Sequence, residues 1–352
     1  MAVALLVFLV LGLSPRLRRQ YHRFMTRRAV SRPPEPGLVP KDQQDTTRPG
    51  PDPVLDVALA AGRAGDWQPA AQLLADTGDD WDLRAYRAER LGKLAAWDNT
   101  SLKAWQAERP DDPTAALVEA HGLVDLAWKR RGGHYARYTS AQEFQGFFDL
   151  LTRARAAAFR AVQLAPEDPC ARMPELWVGI GFGYSHHDFH LMWTEVDKRA
   201  PHHFLAHSSV LQYLCAKWCG SGELANRFAA DAAAGAPLGS LLQALPLISW
   251  YEHGGLQGVK RAGYRAPYLL ARVDALLADV AAARADHPQL PEARHLLAFF
   301  LYQQGRFQES AEQFRLVDGW IDALPWRYQV DPAEFFVATR NKAIRKALQR
   351  AK

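Results

Sequence analysis

Half of the histidines in this 352-residue chain fall within 22 residues: His186, His187, His190, His202, His203 and His207, six of twelve. His186/His190 and His203/His207 are each four apart, a spacing that puts two imidazoles on one helix face. Two such helices side by side can offer four nitrogens to a zinc ion, with Asp188 and Glu195 available as oxygen ligands. That pattern describes a metal-binding enzyme or sensor centred on His186, His190, His203 and His207. The competing reading is packing. Each pair shares its stripe with bulky apolar residues, Phe189 and Trp193 in one and Val210, Leu214 and Trp218 in the other. Neither pair carries the glutamate of a zinc-hydrolase helix, so packing is the preferred reading and no metal or cofactor is assigned.

Other chemistry is thinner. Gly179, Gly181 and Gly183 begin like a dinucleotide loop, but residue 184 is Tyr where the third glycine is needed and no strand precedes it, which leaves close helix packing or a kink. The chain contains no Gly-x-Ser-x-Gly elbow, Walker loop, Cys-x-x-Cys pair or His-Glu-x-x-His. The expectation is therefore a protein without catalytic residues. Cys170, Cys215 and Cys219 are too few for a disulfide framework; Cys215 and Cys219, one turn apart, read as small apolar residues on a helix. The eleven tryptophans read mainly as core, with one or two left to line a binding groove.

The elements that position these residues are helical. Ala is abundant, Val/Ile/Thr runs are missing, and strand-length alternation is hard to find, so the class is all-α. Residues 199–237 set the pattern: His203, His207, Val210, Leu214 and Trp218 form one stripe, Gly220-Ser221-Gly222 breaks it, and Leu224, Phe228 and Ala232 form a second. Such a hairpin cannot bury its faces alone and needs stacked neighbours. The spacing predicts further helices over 81–94, 101–108, 113–131, 150–164, 238–251, 267–285, 291–304 and 307–324, with a terminal amphipathic helix from Pro332.

In residues 291–317, Leu297, Ala298, Gly305, Phe307, Ser310 and Phe314 stand at small, turn and aromatic positions of a helical pair. Gly65-Asp66-Trp67 with Ala70 and Leu74, and Ala161 with Pro166, repeat parts of that pattern. These residues resemble tetratricopeptide-like repeats, and the resemblance implies an α-solenoid of helical hairpins with irregular repeats, since Gly65, Gly220 and Gly305 do not fall on a 34-residue period. Residues 164–252, with LAPEDP, RAPHH, KWCGS and APLGS, also resemble a bacterial helical-repeat group carrying a domain of unknown function. The implied role is a protein- or peptide-binding scaffold.

The net charge of +5 and pI near 9.1 come from the two ends. Residues 1–28 carry six arginines and residues 340–352 six basic groups, with no acid in either; without those twelve, 31 basic residues face 38 acidic ones. A mildly acidic body argues against nucleic acid as the partner. The first thirteen residues are uncharged and span roughly 20 Å as a helix, short of the roughly 30 Å hydrocarbon core. Three readings stand: a short anchor, an interfacial segment, or a packed helix. The arginines that follow would hold the body on the cytoplasmic side. The organisation expected is thus a terminal segment at 1–28, a Pro-rich linker at 29–53 and a helical-repeat domain at 54–352 ending in a basic helix. On the anchor reading, the full chain fractionates with membranes and a chain lacking residues 1–28 does not; a fully soluble full-length chain ends that reading.

Overall fold

The computed structural model describes Pro33 and residues 35–132, 141–254 and 261–350. The expected anchor at 1–28 lies outside the described residues. Among those residues there are fifteen α-helices and no strand, only an isolated bridge between Asp45 and Trp320. None of these helices is long and apolar enough to cross a membrane. The described chain forms two compact units, one of residues 52–254 with 281–289, the other of residues 35–51, 261–280 and 290–350.

The larger unit holds α1 (Pro53–Arg63), α2 (Gln68–Ala75), α3 (Trp81–Trp97), α4 (Thr100–Glu108), α5 (Pro113–Arg131) and α6 (Ala141–Leu164). It continues with α7 (Met173–Phe182), α8 (His186–Asp197), α9 (Phe204–Leu214), α10 (Gly222–Gly235) and α11 (Leu245–His253). The starts follow from capping chemistry. Asp52, Asp80, Asp112, Ser185 and Ser221 each accept a backbone N–H from the first turn of the helix that follows, and Pro53 and Pro113 occupy positions where no N–H is needed. Asp52 also takes Arg87 Nε at 3.1 Å, which joins the start of α1 to α3.

Close helix approach depends on glycine at two places. A Cβ on Gly92 of α3 would lie 2.6 Å from His121 Cβ and 2.9 Å from Gly122 N, so α3 and α5 nearly touch there. On α7, a Cβ at Gly181 would meet Leu151 Cδ1 at 2.5 Å, and one at Gly179 would meet Met192 Cε at 2.8 Å. Both glycines are helical, and Gly183 alone is left-handed, ending the helix. The packing alternative read from the sequence is the one realised.

The smaller unit is built from α12 (Pro267–Ala282), α13 (Leu290–Gln304), α14 (Phe307–Leu316) and α15 (Pro332–Arg350). Its aromatic core gathers Phe299, Phe300, Phe314, Trp326 and Phe336. Buried His295 crosses this core, with Nε2 bonded to Pro49 O at 3.0 Å and Nδ1 accepting from Trp326 Nε1 at 3.0 Å. Arg340, 1% exposed, pairs with Asp318 and donates to Val39 O at 2.9 Å.

Three expectations need correction. Residues 35–51, read as an extended linker, are packed: Val39 N donates to Asp318, Gln44 is buried against the same carboxylate, and a Cβ on Gly50 would sit 2.4 Å from Pro291 Cγ. The helix expected to run through Trp218 ends at Leu214, where Cys215 turns extended and Gly220 folds back onto Leu214 O. Cys215 and Cys219 are therefore not on a helix. The helix over 307–324 stops at Leu316, because Trp326 must reach the aromatic core and Asp318 must meet Arg340.

Two substitutions separate packing from propensity. Gly92→Ala is expected to cost about 1–3 kcal/mol through overpacking against backbone. Gly235→Ala, with open space around the site, is expected to be neutral or stabilising by up to about 1 kcal/mol. Urea unfolding of both variants measures the contrast.

Candidate functional site

The first turn of α3 is where the sequence-predicted histidines lead. His203 caps α9 rather than lying within it: its Nδ1 accepts from Ala206 N at 3.3 Å, so Nε2 carries the proton and donates to Trp81 O at 3.1 Å. His207 Nδ1 is bonded to His203 O at 2.9 Å, and its ring lies edge-on to Trp193 at 4.8 Å. Burial lowers the pKa of His207. Both rings are buried and engaged.

His186 and His190 behave differently, being exposed on α8. His186 Nε2 contacts Cys219 O at 2.9 Å and its ring stands edge-on to Tyr213. Among the described residues, no three His, Cys, Asp or Glu side chains come together in a way that could hold a metal ion. The four histidines thus split into a buried pair that fastens helices and an exposed pair on α8. Four-residue spacing puts two rings on one face only if both lie within the helix, and His203 precedes its helix.

The feature that the sequence reading missed is a cleft of about 420 Å³ formed by α6, α7 and α8. Thr152, Arg155, Ala156 and Phe159 line it from α6, at helical spacing that makes one stripe. Glu175 and Val178 come from α7, Tyr184 from the turn after Gly183, and Met192 from α8. Beside it runs a series of stacked rings: Phe144 on Phe148, Phe148 on Phe182 at 5.9 Å, and Phe182 on Tyr184 at 6.0 Å. Left-handed Gly183 makes the last stack possible by reversing the chain between the two rings.

Phe159 is 57% exposed and Phe148 39%, an apolar surface that no neighbouring described element covers. The Arg155 guanidinium lies 5.5 Å above Phe182 and forms no ion pair among the described residues. Glu175 is held above the usual carboxylate range by burial, with Arg172 acting against that shift. A second cleft of about 330 Å³ adjoins Trp67, Trp105 and Arg109, but its tryptophans are 6% and 2% exposed and stack on each other at 5.4 Å. Only the first cleft presents large apolar side chains to solvent. Its sequence signal was the placement of Phe148 and Phe159 on the flank of α6, beside the face that carries Leu151, Ala154 and Ala158.

Comparison with known protein families, with characterised proteins and with solved structures finds no match.

The histidines carry a pH prediction. Burial pushes His121 down to about 4 and His295 down to about 3, and lowers His207. Below about pH 6.5 the unfolded chain binds protons that the folded chain refuses, so this stability is intact above that pH and is lost progressively on acidification. Glu175, whose pKa is raised, acts in the opposite sense. The urea midpoint is expected to fall from about pH 6.5 to about pH 4.5; an unchanged midpoint would contradict neutral buried histidines.

Proposed function

We propose that the chain is a non-catalytic helical protein of the tetratricopeptide-like kind, whose cleft between α6, α7 and α8 binds a segment of another protein. The observation that carries this reading is the exposed aromatic stack beside an apolar cleft with an unpaired arginine at its wall. Exposed aromatic rings next to arginine are the side chains that dominate binding energy at protein interfaces. Consecutive helices that pack on their sequence neighbours, with small residues where they approach and Gly or Pro between them, support the repeat reading.

The chemistry of the cleft defines its partner. Glu175 is desolvated and answered by Arg172, so Arg155 is the charge that lacks a counterpart. A matching segment bears a large apolar side chain, for the space between Phe159 and Met192, flanked by Asp or Glu to meet Arg155.

Selection of displayed random peptides on the full chain tests the proposal. Enriched sequences are expected to place an aromatic or large aliphatic residue next to an acid. Phe159→Ala and Arg155→Glu, both on the exposed face of α6, are each expected to weaken the selected peptides by about tenfold or more. No enrichment, or equal binding by both variants, overturns it.

A further inference from the structure

A second feature, in the smaller unit and independent of the peptide cleft, is a concentration of positive charge around Phe307. Arg261 lies 6.0 Å from the centre of its ring, Lys346 5.1 Å and Arg350 4.8 Å. Arg261 also sits 4.8 Å over Tyr302, whose ring is 5.8 Å from Phe307. Arg265 joins the group at Gly305, where a Cβ would come within 2.7 Å of its Nη2. Lys342 completes it one helical turn before Lys346.

The turn after α13 explains part of this crowding. Arg261 donates to Tyr302 O at 3.4 Å, Arg265 to Gln304 O at 3.0 Å and Arg350 to Gly305 O at 3.0 Å, so three guanidiniums cap the carbonyl end of one helix. Each of these bonds uses one of five N–H groups. The cap leaves the two lysines unexplained.

Among the described residues, none of Arg261, Arg265, Lys342, Lys346 and Arg350 forms an ion pair. Two acids of the same unit, Asp274 and Glu309, both pair with Arg306. Lys342 feels the result: burial holds it below the usual lysine range, and Arg345 and Arg261 push it further the same way. Three like charges on one ring, with Arg265 at the adjoining turn and Lys342 within reach of the Arg261 charge, raise the free energy of the fold unless an anion sits among them. A monocarboxylate would neutralise one of the five. A polyvalent phosphate answers several at once, and guanidinium forks with lysine point charges suit its oxygens.

We propose that this cluster is a binding site for a compact, multiply charged phosphate anion, free in solution or presented as a lipid headgroup. Compactness separates it from a nucleic-acid track: the charges gather about one phenyl ring and the turn beside it instead of following a groove, and residues 29–339 carry a net negative charge.

The test titrates the full chain with sodium pyrophosphate by calorimetry and sediments it with phosphatidylcholine vesicles with and without phosphatidic acid, whose headgroup is a phosphate monoester. Three proteins are compared: wild type, Arg261→Gln/Lys346→Gln/Arg350→Gln, and Lys103→Gln/Lys198→Gln as a control that removes exposed cations elsewhere. Circular dichroism checks folding, and Lys346→Gln alone, at an exposed position, serves if the triple variant is unstable. Pyrophosphate binding that weakens by about tenfold or more in the cluster variant and not in the control supports a free anion. Phosphatidic-acid-dependent sedimentation lost in the same variant supports a headgroup. Absence of both, equal losses in the control, or binding only to single-stranded RNA that strengthens with its length overturns the proposal.

Discussion

The larger unit turns on the first turn of α3, where four stretches of chain meet. Asp80 caps the helix and pairs with Arg284 at 2.5 Å. Trp81 O receives His203 Nε2 and, at 3.4 Å, the Cys170 thiol. Asp82 accepts Phe204 N at 3.0 Å and faces both His203 Nδ1 and His287 Nε2. Arg84, one residue pair further on, binds Asp168 at 2.7 Å and Leu74 O at 3.1 Å. A helix start is suited to this role because its free N–H groups and positive pole favour carboxylates, and carboxylates can then collect donors from elsewhere. Because His203, Cys170 and Asp168 are buried, losing one of their partners leaves a polar group stranded away from water, at a cost of about 1–3 kcal/mol.

The smaller unit uses the same logic at its centre. Arg340 is fully buried yet satisfied: Asp318 neutralises it, Val39 O and Asn341 Oδ1 take further N–H groups, and Asp318 in turn accepts Val39 N and Gln44 Nε2. A buried charge left unpaired is among the most destabilising features a fold can hold, so the pair dictates that residues 39–44 lie against α15. His295 does likewise for Pro49, its two nitrogens spanning from that carbonyl to the Trp326 indole. A proline-rich stretch thereby becomes part of a core through its carbonyls, which proline retains, rather than through its missing N–H groups.

The two proposed sites differ in how water is excluded. The cleft of α6, α7 and α8 exposes aromatic surface with a single unmatched cation, so burial of apolar area would dominate and charge would set orientation. The cluster around Phe307 exposes little apolar area and many cations, so attraction there would be electrostatic and sensitive to salt. Partners of different chemistry are implied, and neither site needs the other.

By itself the sequence determined what depends on neighbours a few residues apart. Helical spacing, with Pro113 at the start of α5 and Gly132 after its end, located that helix to the residue and placed α3, α4, α12 and α13 within a turn, though α6 and α11 begin seven or more residues from where spacing put them; the all-α class followed. The glycines at 179 and 181 were legible as packing residues because no strand preceded them. Tertiary structure decided where helices stop when a distant partner competes: Cys215 breaks α9 as Trp218 docks on Trp128 at 5.1 Å, and α14 ends so that Asp318 can meet Arg340. It also decided that His203 would cap a helix and face Trp81, 122 residues away, instead of sharing a metal with His186. Helical periodicity fixes which side chains share a face, but which faces pair, and hence which charges lose water, is set by contacts between segments whose separation in sequence carries no periodic signal.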